Sequence, residues 1–382
     1  MVFSTSRKGG RGVCPGTFVI LGMLCALPGA VVASIGTAVV VPAADAVVLS
    51  RDDTAMATAA SAALPAPGLS PDRLAQALRA LVEQSRASGS PRPLGLAAGL
   101  LDRLPASQWT AEVYLMRATI HQRLHRFDLA EADLDQVLEL APGNRQAWLT
   151  RYSIALVRGD LDSARRACER LQDGRAGLVA DSCRQELASF GEEPEQAYEQ
   201  LTQALGRGDN LNTTERDYAL VTQAEMATRL QLPEAGDLWQ RSLLRDPADL
   251  YRRARYADWL LAQKRAQEVL LVTQGFEAVD TLAVLRAIAM THLQHPQQPR
   301  LVGELEERFA EARWRGEFLH EWEYARFLLD VKNDAQAALA AAQANWETQR
   351  APVDRALLLR AAMLAGQPSG IDESGQAGRS TL

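Results

Sequence analysis

The sequence predicts an all-α protein, a solenoid of antiparallel helix pairs stacked side by side. Three observations predict it. The good helix formers Ala, Leu, Arg, Gln and Glu dominate the 382 residues, and the alternating Val, Ile and Thr of strands are missing after the first fifty. A two-helix pattern over residues 111–144 recurs along the chain with a period of about 34 residues. Gly, Pro and Asp fall between the helical stretches, where one helix stops and the next starts.

The first 46 residues stand apart. Arg7, Lys8 and Arg11 precede an apolar run at residues 18–27, Pro28 and Gly29 break it, and no charged residue lies between Arg11 and Asp45. This is the three-part pattern of a secretory signal peptide, with small-residue cleavage points after Ala33 or Ala46. Residues 17–41 are also long enough to cross about 30 Å of hydrocarbon, so an uncleaved anchor is the other reading. Either one carries the rest of the chain across a bacterial inner membrane, to a periplasmic location or an anchored one facing the periplasm. Residues 47–69 are rich in Ala, Ser and Pro and read as a flexible linker.

Helical periodicity starts at Ser70-Pro71-Asp72, a capped start with proline in the first turn, and holds to residue 365. A helix pair comes first, its second helix closed by Pro105, and the unit at 111–144 follows. Trp148 opens the next unit, with its turn at Arg158-Gly159-Asp160 and Ala164 in its second helix. Further pairs fall at 178–205, 216–246, 250–274, 280–315 and 318–346, and 352–365 adds a last helix. Residues 366–382 are polar and read as a disordered tail.

In the clearest unit Tyr114 opens the first helix, Ala118 follows four residues later, Ala130 lets the second helix approach, and Pro142 closes the unit. Trp148, Ala164, Ala197, Ala235 and Pro247 hold the matching packing positions of later units. This pattern resembles the tetratricopeptide (TPR) repeat, and the closing segment from Glu323 to Asp354 resembles uncharacterised exported bacterial TPR proteins. The resemblance implies a right-handed superhelical solenoid with a concave face lined by the first helix of each pair. It implies protein binding in that groove, as a scaffold or assembly factor, with a membrane-complex subunit among the partners to expect. The alternative is a glycan or small ligand on the same face, held by aromatics such as Trp109, Tyr218, Trp322 and Tyr324.

Bulk charge disfavours one class of partner. The net charge is −6, and without residues 1–46, which hold three cations and one anion, it is −8. An acidic body argues against a nucleic-acid partner. The lysine, asparagine and arginine clamp by which some TPR domains hold a terminal carboxylate is absent from the three best-matching units, where Leu115, Thr119, Thr150, Val179 and Cys183 occupy those places.

Local chemistry is sparse. Cys168 and Cys183 flank a turn between two helices and could pair as a disulfide in an oxidising compartment, or stay as buried thiols. Arg252, Arg253, Arg255 and Tyr256 mix basic and aromatic residues as a ligand patch would, although a solvated helix face is the commoner meaning. His121 and His125 are four apart, a metal-compatible spacing, but no Glu follows His121 and packing accounts for both. No nucleophile elbow, phosphate loop or interpretable carboxylate pair is found, so the sequence predicts a non-enzymatic protein without metal or cofactor.

Overall fold

The computed structural model describes residues 70–172, 177–207, 213–315 and 320–370. The leader and linker expected over residues 1–69, and the tail beyond residue 370, lie outside these. Among the described residues there are seventeen α-helices and no strand.

The helices pair in chain order: α1 (Pro71–Ser88) with α2 (Arg92–Leu101), α3 (Ala111–Arg123) with α4 (Phe127–Leu140), and α5 (Arg145–Val157) with α6 (Leu161–Gln172). Then come α7 (Leu178–Ala188) with α8 (Pro194–Gly206), α9 (Thr213–Arg229) with α10 (Ala235–Arg245), and α11 (Leu250–Ala262) with α12 (Ala266–Val272). The last pairs are α13 (Asp280–His292) with α14 (Gln298–Trp314) and α15 (Glu321–Phe327) with α16 (Ala335–Thr348), before α17 (Pro352–Ala365). A π-helical turn, Leu328–Lys332, extends α15. The fold is therefore an all-α, tetratricopeptide-like array of antiparallel pairs.

One turn chemistry repeats through the array. Seven first-to-second-helix turns place a residue in the left-handed region: Gly89, His125, Gly159, Gln231, Lys264, Gln294 and Asn333. In five of them the next N–H reaches back to a carbonyl five residues earlier at 2.9 Å, as in Arg126 to His121 and His295 to Met290. That bond satisfies a carbonyl the helix end leaves open and reverses the chain within three residues. After the π-helical turn the equivalent bond, Asp334 to Leu328, spans one residue more.

Small residues set the spacing between helices. Ala118, Ala130, Ala164 and Ala235 are fully buried and Ala197 nearly so. Tyr114 and Trp148 are half-buried, while Pro142 and Pro247 are exposed: the prolines stop helices and do not pack between them. The core is a chain of adjoining clusters, each shared by neighbouring pairs.

The array winds far enough to touch itself. A Cβ on Gly89, at the end of α1, would stand 2.9 Å from Val279 before α13 and 3.2 Å from Leu250 of α11. Arg86 bonds Asp249 there, at 3.4 Å. At the end of α5, Gly159 lies against Arg350, whose N–H donates to the Val157 carbonyl at 2.6 Å. The carbonyl ends of early first helices thus meet the amide ends of late ones, an attractive arrangement of helix dipoles.

Candidate functional site

Winding leaves the first helices of the pairs around a cavity of about 1150 Å³. Helical spacing brings their polar residues there in stripes. On α9, Tyr218, Thr222, Glu225 and Arg229 follow one face at intervals of four, three and four residues, and on α11 Tyr251, Arg255 and Asp258 share a face at intervals of four and three. Tyr152 of α5, Glu186 of α7 and Glu323 of α15 complete the polar wall. Tyr251 keeps 55% of its surface accessible.

Two neighbouring glutamates in this wall differ in their partners. Glu225 accepts both Nε and Nη2 of Arg255, at 2.8 and 2.7 Å, and the Tyr251 hydroxyl at 2.5 Å. Burial pushes its pKa up, but Arg255 and the hydrogen bonds outweigh burial and hold it below the usual glutamate value. Glu186 accepts only the Tyr152 hydroxyl among the described residues, at 2.7 Å, and has no arginine in salt-bridge contact. Burial dominates there and pushes its pKa up to about 7, with the charge of Glu225 adding to the rise. Arg229 stands nearby, but it bonds Ser189 Oγ and lies over the Phe190 ring at 4.2 Å.

From Glu225 an ion-pair ladder crosses the array. Arg255 also reaches Asp258 at 3.7 Å, Asp258 meets Arg326 at 2.9 Å, and Arg326 and Arg360 share Asp330 at 2.7 and 2.8 Å. The π-helical turn carries Asp330 between those two arginines, so one irregular turn ties α11, α15 and α17 together. At the far side Thr281 donates to Glu323 at 2.6 Å and His320 lies 3.7 Å from it. Burial opposes charging of His320, yet Glu323 and Asp280 outweigh it and raise its pKa.

The Cys168 and Cys183 side chains are joined by a disulfide, with Cα atoms 5.9 Å apart. It ties α6 to α7 directly behind the cavity wall, since the Tyr152 Oη that donates to Glu186 also lies 3.3 Å from the Cys183 carbonyl.

Arg252, Arg253, Arg255 and Tyr256 do not form a patch. Arg252 is buried and donates to the Ser242 carbonyl, Arg253 donates to the Val272 carbonyl over Phe276, and Tyr256 is buried against Trp259. Only Arg255 reaches the cavity, because successive helical residues point about 100° apart and four neighbours cannot share one face. Of the aromatics expected on the concave face, Tyr218 and Trp322 line the cavity. Trp109 instead donates to the Leu104 carbonyl, and Tyr324 packs on Phe309. Leu115, Thr150 and Cys183 are buried in the core. His121 faces Asp133 at 3.9 Å and His125 stacks on Phe127, and no metal-binding cluster occurs among the described residues. No described helix is long and apolar enough to cross a membrane. Residues 17–41 lie outside the described residues.

Sequence reasoning missed Glu186 and Tyr152. Each sits in a first helix among many similar residues, and what distinguishes them is a neighbour on another helix. No family model matches this chain and no curated protein does. Among solved structures it is similar to the crystal structure of the P58(IPK) TPR domain, with 15% identity over 76% of this chain and 98% of that one, at a TM-score of 0.23.

Proposed function

We propose that this chain is a non-enzymatic interaction scaffold that holds a segment of a partner protein in the cavity lined by its first helices. One observation carries the reading: a cavity of about 1150 Å³ runs past α5, α7, α9, α11 and α15, larger than the 300–1,000 Å³ usual for a small-molecule site. Its wall offers tyrosine rings and hydroxyls and charged groups at several levels, which suits an extended polypeptide presenting side chains in succession.

The setting we propose is the bacterial periplasm, soluble or anchored through residues 17–41, where a membrane-complex subunit is the expected partner. Support comes from the charged-then-apolar leader and from the Cys168–Cys183 bond, which suits an oxidising compartment.

Photo-cross-linking tests the binding mode. A photoreactive residue at Tyr251, in the cavity, is expected to trap a protein partner in cells, while one at Trp314, 86% exposed on the opposite helix layer, is not. A partner trapped at 314 and never at 251 refutes cavity binding.

A further inference from the structure

We infer that the cavity takes a positively charged segment of extended polypeptide, and that Glu186, beside Tyr152 and Tyr218, seats one of its lysine or arginine side chains. This rests on the peptide-holding reading above and adds the chemistry of the segment.

Charge complementarity is the first argument. Nine carboxyl groups line the cavity against four arginines and no lysine. Two of those arginines are already engaged: Arg255 with Glu225 and Asp258, and Arg86 with Asp249 and Glu83. Arg326 and Arg308 pair with Asp258 and Asp280 from outside the lining, and His320 lies against Glu323. With these cations counted, the nine carboxyl groups still outnumber the six arginines, a surplus of negative charge that attracts a basic segment and repels an acidic one.

The second argument is local and independent of that balance. Every other carboxylate of the inner ladder has a cation within 4 Å: Glu225 has Arg255, Asp258 has Arg326 and Asp330 has Arg360. Glu186, half-buried in the wall beside Glu225, has none among the described residues. Its one hydrogen-bond donor is the Tyr152 hydroxyl, and burial leaves it half-protonated near neutral pH. A ligand ammonium or guanidinium would supply the missing partner and convert a desolvated acid into an ion pair. Tyr218 borders the same space and is partly accessible, so its ring can favour a cation beside the carboxylate, while the fully buried Tyr152 contributes its hydroxyl.

The test uses the full chain and fluorescein-labelled octapeptides, Ala-Lys repeated four times and its Ala-Glu twin, read by fluorescence anisotropy. The lysine peptide should bind and the glutamate peptide should not. Glu186→Gln should weaken binding about tenfold, the loss of one close ion pair. Glu311→Gln, on the exposed outer layer, should leave affinity unchanged. Circular dichroism confirms that both variants stay folded. Equal weakening by the two variants would mean diffuse attraction to an acidic surface and would overturn the inference. Preference for the glutamate peptide would also overturn it, leaving the peptide-holding reading intact. Spermidine bound one-to-one and lost in Glu186→Gln, with neither peptide bound, would keep the cation seat and overturn the peptide reading.

Discussion

Gly89, in the left-handed turn that ends α1, lies against Val279, the residue before α13, although five helix pairs separate them along the chain. A side chain at Gly89 would meet Val279 at 2.9 Å, closer than atoms tolerate without movement. The glycine therefore meets two demands, a φ of 70° and the room to close the winding.

Gly89→Val should destabilise the array by about 2 kcal/mol or more, combining backbone strain and overpacking. Gly95, in the middle of α2 with nothing near its missing Cβ, is the control: Gly95→Ala should stabilise by about 0.5–1 kcal/mol. Urea unfolding followed by circular dichroism distinguishes the signs. Equal effects at both positions would contradict the proposed seam.

The helix pairs themselves were legible in the sequence, because the spacing of Tyr114, Ala118 and Ala130 and the breakers after each unit encode them locally. The turns were less so: left-handed positions held by His125, Gln231, Lys264 and Gln294 carry no glycine or asparagine to mark them. Closure of the array was not legible, since it sums small rotations over five pairs. Glu186 was hidden for a related reason. Its chemistry differs from that of Glu225 only through which residues on neighbouring helices face it.

The ladder supplies a second prediction. Arg255→Met leaves Glu225 and Asp258 enclosed without their shared cation, and should cost roughly 3 kcal/mol. Arg300→Met, at an exposed pair with Glu304, should change stability by less than about 0.5 kcal/mol. Thermal melts of the two variants test the contrast.

Stability should also depend on pH through Glu186. Its folded pKa is raised, to about 7 from an ordinary 4.5. Protonated Glu186 is thus favoured by folding, and that contribution is fully present below pH 4.5 and lost as pH rises through 7. Glu186→Gln removes the ionisation, so relative to the wild type it should gain on the order of 1–2 kcal/mol between pH 5 and pH 8. Denaturation at the two pH values reads this directly, and a constant difference would refute it.

The disulfide joins residues fifteen apart in sequence. Closing a loop of that size is worth about 3 kcal/mol in the chain-entropy account. Reduction, or Cys168→Ser with Cys183→Ser, should lower stability by roughly 2–3 kcal/mol. Because Tyr152 bonds the Cys183 carbonyl, the same change should loosen the Glu186 wall and weaken binding of the lysine peptide. Unaltered melting under reductant would show that the bond does not brace this region.

Hydrogen–deuterium exchange of the chain with and without its cross-linked partner tests the central claim most directly. Binding in the cavity predicts new protection in α5, α7, α9 and α11, with α4, α6, α10 and α14 unchanged. Protection confined to the second helix of each pair would place the partner on the outer layer and contradict the account.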